Sequence, residues 1–333
     1  MKPISIRYLS GPDVAALALT DHEILAAIET SLRAQGEGDT VIEPRMHLVA
    51  DETCGGHFNV LRGYIAPTNT AGIKVVGDFH DNYRQGLPSE FGLLNLFDGK
   101  TGQPRAVIDA TGITEMRTGA VTAIGAKYLA PTTARVLGHI GARGTAYWNV
   151  RLLDHLFDFD EIRVHSRRAE SREAFAAKLE TDLGKPIVVT SDWQSCLDGA
   201  DVLVEASRLP APEALFKTAW IKPGALVIPY GTMSTVEDDI VDVMDKIVVD
   251  DWGQCLVGPF GCLRRHVDSG RITRESIHGE LGEICADRIP ARQSDDETCL
   301  FWHRGLSTSD IALGAAMLDK ADRLGIGHTL PYA

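Results

Sequence analysis

The sequence has no excess of positive charge. Lys and Arg together number 33 against 46 Asp and Glu, which gives a formal net charge of -13. Proteins that bind nucleic acid neutralise phosphates with basic stripes, and the sequence shows no such stripe. We therefore expect no nucleic-acid partner, although local cationic pockets for small anions remain compatible with this composition.

Long apolar runs are also missing. The longest, such as ALVI at 225–228 and KIVVDD at 246–251, have the length of strands and fall short of the roughly 20 residues that cross a bilayer. Residues 1–10 lack the apolar centre of a signal peptide. We therefore expect no membrane partner and a cytoplasmic protein.

Cysteines at metal-binding spacing are absent as well. The chain has no C-x-x-C pair and no histidine at a companion spacing, and its six cysteines are dispersed: Cys54, Cys196, Cys255, Cys262, Cys285 and Cys299. Zinc sites depend on such spacing. We therefore expect no metal and mostly buried, reduced thiols.

The chain does have enough apolar residues for a large folded protein. Its 333 residues are 44% hydrophobic, and this length favours two domains over one large domain. Segment 13–36 has helical periodicity and predicts one or two helices. Between about 41 and 110, short β-rich segments separated by turn residues predict an antiparallel sheet, and a helix is expected to begin near Ile113.

From about residue 134, strand and helix patterns alternate. The strand segments are ARVLGHI, EIRVHS, PIVVT, DVLVEAS, ALVIPYG and KIVVDD, with helical stretches between several of them. This rhythm is typical of the doubly wound parallel sheet of an α/β fold. Near the end, residues 307–324 predict an amphipathic helix whose STSD start offers several N-caps.

The first of these strands leads into a glycine-rich turn, GARGTA. In the Rossmann fingerprint the first glycine allows a tight turn and the second lets the backbone approach a pyrophosphate. Gly141 takes the first position, but Arg143 stands at the second, and Gly144 comes one step late. The neighbouring βαβ units supply the context that the motif needs. We therefore expect a dinucleotide site at Gly141, Ala142, Arg143, Gly144 and Thr145, with the Arg143 side chain turned away from the turn and beside the nucleotide.

The end of the second strand predicts which dinucleotide is bound. Ser166, Arg167 and Arg168 stand where NAD enzymes place an acidic residue on the ribose. A serine and arginines suit a 2′-phosphate, so NADP(H) is favoured and NAD(H) is possible. The alternative is that both arginines only solvate the start of a helix. Ser207 and Gly231 complete the expected cofactor site.

Seven motifs resemble those of the ornithine cyclodeaminase and mu-crystallin family of nicotinamide-dependent enzymes, in the same order. They are AGIKVV around Lys74, N-x-x-x-x-LPS at 82–89, ITEMRTGA at 113–120, the GARGTA loop, PGALVIPYG at 223–231, ARQSDDET at 291–298 and RGLSTSD at 304–310. Members cyclise ornithine to proline, reduce ketimines, or interconvert amino and keto acids. The resemblance implies a homodimer with a Rossmann domain at 119–304. It also implies an α+β substrate-binding and dimerisation domain built from 1–118 and 305–333.

The resemblance further implies a carboxylate site made of two arginines and a lysine. Its members match Arg45, Lys74 and Arg117, and Ser89 stands where ornithine cyclodeaminases have a threonine. Guanidinium groups suit a planar carboxylate, and a lysine in a low-dielectric cleft can donate a proton. By spacing alone, each cation could instead belong to an ordinary surface ion pair.

The chain departs from the cyclodeaminases at one catalytic position. Met233 stands where they carry an acid/base aspartate, and a methionine cannot move a proton. If Arg304 and His80 both face the cleft, the pocket becomes more cationic, and His80 can serve as a general acid near neutral pH. His47 and His57 are weaker candidates for that role.

These features favour an NAD(P)H-dependent reductase of a small imino acid. Lys74, or a water that it holds, supplies the proton, while Arg45 and Arg117 fix the carboxylate. Reduction needs only positioning and protonation, so it tolerates Met233. The alternatives are an amino-acid dehydrogenase of the alanine type, which must also add or remove water, a true cyclodeaminase, and a non-catalytic NADPH-binding protein like mu-crystallin in its ligand-binding role.

Overall fold

The computed structural model of the chain describes residues 3–51, 55–258 and 260–333, without the side chains of His80 and Tyr83. Its contacts form two compact units. Unit 1 comprises Met1–Arg117 and Leu306–Ala333, and unit 2 comprises Thr118–Gly305. Among the described residues, no helix is both long and apolar enough to cross a membrane.

The strands and helices are numbered in chain order. The strands are β1 (Ser5–Leu9), β2 (Thr40–Ile42), β3 (Met46–Leu48), β4 (Gly56–Ile65), β5 (Thr70–Phe79), β6 (Glu90–Asp98), β7 (Pro104–Asp109), β8 (Val136–Ile140), β9 (Glu161–His165), β10 (Val188–Val189), β11 (Val202–Glu205), β12 (Leu226–Pro229), β13 (Lys246–Val249), β14 (Gly279–Glu280), β15 (Cys299–Trp302) and β16 (His328–Pro331). The helices are α1 (Gly11–Ala16), α2 (Asp21–Glu37), α3 (Thr111–Leu129), α4 (Ala146–Phe157), α5 (Ala169–Leu183), α6 (Trp193–Leu197), α7 (Trp252–Cys255), α8 (Arg264–Asp268), α9 (Leu281–Cys285) and α10 (Ser307–Leu324).

Unit 1 is built on a mostly antiparallel sheet in the order β16-β1-β7-β6-β5-β4-β2, with β3 beside β4. The long strands β4 to β7 pair antiparallel in sequence order, as the turn pattern predicts. Strands β1 and β16, which were not expected from the sequence, pair with each other, and β1 also pairs parallel with β7. The short strands β2 and β3 both pair antiparallel with β4, within the region where short β-rich segments were expected.

Helix α10 packs on one face of this sheet, against β4, β5 and β6. Two glycines permit the close approach. A Cβ at Gly72 would lie 2.6 Å from the Ile311 side chain, and one at Gly63 would lie 2.8 Å from Ser307 Oγ. Any larger residue at these positions would therefore push the helix off the sheet.

The start of α10 differs from the expectation that STSD supplies an N-cap. The cap residue is Leu306, and no side chain caps the helix. The four residues of STSD instead form the buried first turn of the helix. Of these four residues, Asp310 has partners in unit 1 that are described below.

Unit 2 is a parallel sheet in the order β10-β9-β8-β11-β12-β15-β13-β14. The first five positions follow the 3-2-1-4-5 order of a Rossmann sheet, with the order reversing between β8 and β11. The α/β fold class with a doubly wound parallel sheet is confirmed. Strand β15, which was not expected from the sequence, inserts between β12 and β13.

The cysteines in the described residues behave as expected. Those at 196, 255, 262, 285 and 299 are all buried and free. Burial raises the pKa of the Cys196 thiol to about 12, which keeps it protonated at neutral pH. Cys54 lies outside the described residues.

Candidate active site

Lys74 is a buried cation on the central strand β5 of unit 1, with only 2% of its surface exposed. Successive side chains of a strand point to opposite faces of the sheet. Lys74 therefore lies on the face toward α10, and the preceding Ile73 lies on the opposite face. The Nζ atom donates to Asp310 Oδ1 at 2.6 Å and to Thr114 Oγ1 at 2.9 Å. Lys74 therefore does not belong to an ordinary surface ion pair, which was the alternative that sequence spacing left open.

Arg117 joins the same cluster from α3. It lies one helical turn after Thr114, and its Nε donates to Asp310 Oδ1 at 3.0 Å. Both side chains in this ion pair are buried. Asp310 Oδ1 thus accepts from two cations, while Asp310 Oδ2 is buried without a hydrogen-bond partner. Two positive charges against one negative charge leave the cluster able to attract an anion, since buried charges require compensation.

Burial and the charges of the cluster bring the pKa of Lys74 close to neutral pH. Burial lowers the pKa of Lys74, Asp310 opposes the change, and the charges of Arg117 and Arg45 add to it, which together bring the pKa to about 8. Burial on its own would raise the pKa of Asp310, but the charges of Lys74 and Arg117 outweigh it and lower the value. An ammonium group with a pKa of about 8 is able to donate a proton under physiological conditions.

The remaining candidates of unit 1 lie in more open positions. Arg45 is partly exposed between β2 and β3, and its charge acts on Lys74. Ser89 is exposed, and its carbonyl accepts from Phe79 N at 2.8 Å. The side chain of His80 lies outside the described part of the chain. The His47 and His57 rings have centroids 5.4 Å apart.

Two members of the cluster, Asp310 and Thr114, were not expected from the sequence. Both lie within motifs that carried the family resemblance, RGLSTSD and ITEMRTGA. Asp310 is separated from Lys74 by 236 positions, so no spacing rule links them. The available signal for Thr114 was its i,i+3 spacing to Arg117, which places both on one helix face.

The glycine loop of unit 2 has the conformation that its sequence requires. Gly141 has a φ of 113°, and a Cβ there would lie 2.9 Å from Ala206 O; Gly144 has a φ of 56°. Residues other than glycine rarely adopt such positive φ angles. The loop leads into α4, whose N-cap residue is Thr145.

The Arg143 side chain of this loop contacts α5, the helix that follows β9. The Arg143 side chain is exposed and donates to Ser171 Oγ in α5 at 3.4 Å. Ser166 Oγ donates to the carbonyl of Arg168, the residue that precedes α5, at 3.2 Å. Arg167 and Arg168 are exposed. The end of β9 is thus flanked by cations from two segments.

Ser207 and Gly231 share a partner that the sequence analysis did not identify. The Glu205 carboxylate accepts from Ser207 N at 2.8 Å and from Gly231 N at 3.2 Å. Glu205 is fully buried at the end of β11, and burial raises its pKa. It therefore connects the loops that follow β11 and β12, at the edge of the sheet where Rossmann domains hold their ligands.

The two remaining candidates lie in later loops of unit 2. Met233 is partly buried after β12. The Arg304 guanidinium donates to Val257 O at 3.2 Å and lies over the Trp302 ring. Its backbone N donates to Asp250 Oδ2 at 2.8 Å. Arg304 is thus engaged by neighbours within unit 2, and a role in substrate binding remains a prediction.

Comparisons with known proteins identify the family of the chain. The family model described as the ornithine cyclodeaminase/mu-crystallin family matches residues 8–323. The ketimine reductase mu-crystallin of Rattus norvegicus is 27% identical, over 94% of this chain and 96% of its own length.

Two solved structures resemble the whole chain, each with a TM-score of 0.90. One is the Thermococcus litoralis Δ1-pyrroline-2-carboxylate reductase with NADH and L-proline, 25% identical, covering 98% of this chain and 100% of that one. The other is an archaeal alanine dehydrogenase dimer with bound NAD, 28% identical, covering 99% of this chain and 100% of that one. On the extent of the family match, the chain belongs to the ornithine cyclodeaminase/mu-crystallin family.

Proposed function

We propose that the protein is an NAD(P)H-dependent reductase of a small imino acid. The observation that carries the proposal is the buried cluster of Lys74, Arg117 and Asp310, which combines a proton donor and a guanidinium with an excess of one positive charge. Such a cluster suits a substrate that carries a carboxylate and needs one proton. The rat ketimine reductase and the Thermococcus litoralis pyrroline-2-carboxylate reductase, both similar to this chain, support it.

The dinucleotide, when bound, supplies a hydride for the imine carbon. The chain's own residues have four tasks. Arg117 and Arg45 bind the substrate carboxylate, and the Lys74 ammonium donates the proton that the imine nitrogen takes up. Asp310 stabilises the protonated form of Lys74. The N-terminus of α4, with the turn at Gly141, binds the pyrophosphate. In this proposal unit 1 binds the substrate and unit 2 binds the dinucleotide.

Met233 explains why reduction is favoured over cyclodeamination. Cyclisation of ornithine must deprotonate a side-chain amine, and the thioether at this position accepts no proton. Reduction of a preformed imine uses one hydride and one proton, and Lys74 covers the proton.

The test is a screen of the purified protein with NADPH and with NADH against cyclic and acyclic imino acids, followed by dinucleotide absorbance. A Lys74→Met variant keeps most of the side-chain volume, and we expect it to lose roughly 100-fold or more in turnover. Lys320→Met serves as the matched control, because Lys320 pairs with Glu23 on another part of unit 1. Absence of turnover with every imine would contradict the proposal.

An amino-acid dehydrogenase of the alanine type is the second candidate, because the archaeal alanine dehydrogenase is 28% identical over the whole chain. It requires water to be added or removed at the same carbon. A keto acid with ammonia separates the two: turnover with this pair and with no preformed imine would establish the dehydrogenase. Tight NADPH binding without any turnover would instead establish a non-catalytic binding protein.

For the cofactor, we propose a preference for NADPH over NADH. The support is the group of cations around the end of β9, namely Arg143, Arg167 and Arg168. Arg167→Ala together with Arg168→Ala should raise the KM for NADPH by about 10-fold or more and leave NADH almost unchanged, since a charge-assisted hydrogen bond contributes about 1.5–3 kcal/mol. Lys178→Ala, also exposed in this region, is the control. Equal effects on both dinucleotides would contradict the preference.

For the assembly, we propose a homodimer formed through the outer face of the unit 1 sheet, in a cytoplasmic protein. The register aligns Met46, Val60, Val75 and Leu93 in one row across four strands. The large apolar residues of this face are exposed between 44% and 57% at Met46, Leu48, Phe91 and Leu93. Such a contiguous apolar face is typical of a protein interface.

Sedimentation should give a dimer for the wild type and a monomer for Leu93→Asp. A monomeric wild type at micromolar concentration would contradict this assembly.

A further inference from the structure

A chain of hydrogen bonds connects the glycine loop of unit 2 to Tyr230, the residue that follows β12. The Tyr230 hydroxyl lies 2.6 Å from Thr145 Oγ1 and accepts a hydrogen bond from the Asn149 side-chain amide. The same amide lies 3.0 Å from His139 Nε2, and His139 Nδ1 lies 3.1 Å from the carbonyl of Gly141. Tyr230 is therefore linked to both ends of the loop.

The direction of these bonds follows from the charge of His139. Burial lowers its pKa to about 4, so the ring is neutral at physiological pH and carries one N–H. Because the Asn149 amide can only donate to Nε2, the proton sits on Nδ1, which donates to the Gly141 carbonyl. Asn149 then donates its second N–H to the Tyr230 oxygen. Each hydrogen bond from Gly141 to Tyr230 therefore has one donor and one acceptor.

The ring of Tyr230 is also fixed from the other side. Its centroid lies 4.3 Å from that of His303, a buried residue. His303 Nε2 in turn lies 3.0 Å from Thr122 Oγ1 in α3. Removing the hydroxyl alone, as in Tyr230→Phe, therefore leaves the ring packed in place.

The contact with Thr145 affects the start of α4. A threonine at the N-cap normally accepts a hydrogen bond from a backbone N–H of its own helix. Here the N-cap residue Thr145 has helical backbone angles, with φ -67° and ψ -14°, and makes no such bond, and its hydroxyl lies 2.6 Å from that of Tyr230. The first N–H groups of this 12-residue helix thus have no side-chain acceptor of their own.

We propose that Tyr230 is a positioning residue for the pyrophosphate of the dinucleotide. Its hydroxyl bonds to both Thr145 and Asn149 and so fixes the first turn of α4, whose N–H groups bind the phosphate oxygens. The inference rests on the proposed dinucleotide site and names a residue outside the glycine fingerprint. It also accounts for a loop that keeps its shape although Arg143 replaces the second glycine, since Tyr230 and His139 hold the loop from within unit 2.

The test compares NADPH binding by Tyr230→Phe, Thr145→Val and the double variant, and binding is measured from the fluorescence of the nucleotide. Tyr230→Phe removes the hydroxyl that joins Thr145 to Asn149, and we expect the Kd to rise about fivefold to tenfold. Thr145→Val removes the other partner of the same hydrogen bond and should also weaken binding. The double variant should lose no more than the larger of the two single losses, because both changes remove one shared bond. Tyr147→Phe, on the same helix and bonded to Asp182, is the matched control.

Two readouts separate positioning from a general structural defect. The thermal midpoint should stay within a few degrees for all variants. Binding of adenosine 2′-phosphate, which lacks a pyrophosphate, should be unchanged by Tyr230→Phe. Unaltered NADPH affinity in Tyr230→Phe, or losses that simply add in the double variant, would overturn the inference. A wild type that binds neither NADPH nor NADH would instead overturn the proposed cofactor site.

Discussion

Replacing Asp310 by asparagine should move the pH dependence of the reaction. Asp310→Asn keeps the side-chain size but removes the negative charge that lies 2.6 Å from Lys74 Nζ and 3.0 Å from Arg117 Nε. Lys74 is fully buried, and Asp310 opposes the fall of its pKa. Without the carboxylate, the neutral amine becomes more stable than the ammonium, and Lys74 loses its proton at a lower pH.

The size of the effect follows from the hydrogen bond that is lost. A hydrogen bond between charged groups contributes about 1.5–3 kcal/mol, which corresponds to a pKa change of about 1–2. The pKa of Lys74 should therefore fall from about 8 to between about 6 and 7. At pH 7.5 the protonated fraction then drops from about three quarters to between about 3% and 24%, a loss of about threefold to 25-fold in rate.

The assay is kcat/KM for the best imine from the screen, measured across the pH range from mildly acidic to mildly alkaline. The descending limb of the profile should move down by the same amount as the pKa, and most of the activity should return near pH 6. Asp319→Asn, an exposed aspartate on the same helix, should leave the profile unchanged.

The free energy of unfolding must be measured alongside, because breaking a buried ion pair costs about 3–5 kcal/mol. A profile that keeps its limb near pH 8, or a loss that is equal at every pH, would refute the reasoning.

Three further results are expected. His139 has a pKa of about 4 in the folded protein, whereas its ordinary value is 6.5. Between these two pH values the unfolded state binds more protons than the folded state, so about 2 kcal/mol of stability should be lost as the pH falls from 7 to 5. Urea unfolding of His139→Gln should lack this loss, while His22→Gln, at an exposed position, should keep it. Gly231→Ala should destabilise the protein, because its Cβ would lie 2.3 Å from Glu205 Oε2, and Glu205→Ala should relieve part of that cost in a double-variant unfolding experiment. Met233→Asp should gain measurable release of ammonia from ornithine if the missing acid limits cyclisation, and an unchanged background would show that more than this residue is absent.

The sequence determined the elements whose pattern is local. The βαβ rhythm after residue 134 predicted the parallel sheet, because alternating strands and helices can bury their apolar faces only in that arrangement. The long strands β4 to β7 and the helix from Ser307 to Leu324 also followed from periodicity and turn residues. Short strands at the edges, such as β1 and β16, carry too few residues for a pattern to identify them.

The tertiary structure alone decided the electrostatics of the site. The sequence and its family resemblance named Lys74 and Arg117, but the carboxylate between them, Asp310, comes from the far end of the chain and was taken for part of a helix cap. Hydrogen bonds such as those of Tyr230 with Thr145 and Glu205 with Gly231 likewise join residues that no periodicity relates. A residue's identity fixes what it can donate or accept, whereas its pKa and its partner depend on burial and on neighbours that only the folded chain brings within a few ångströms.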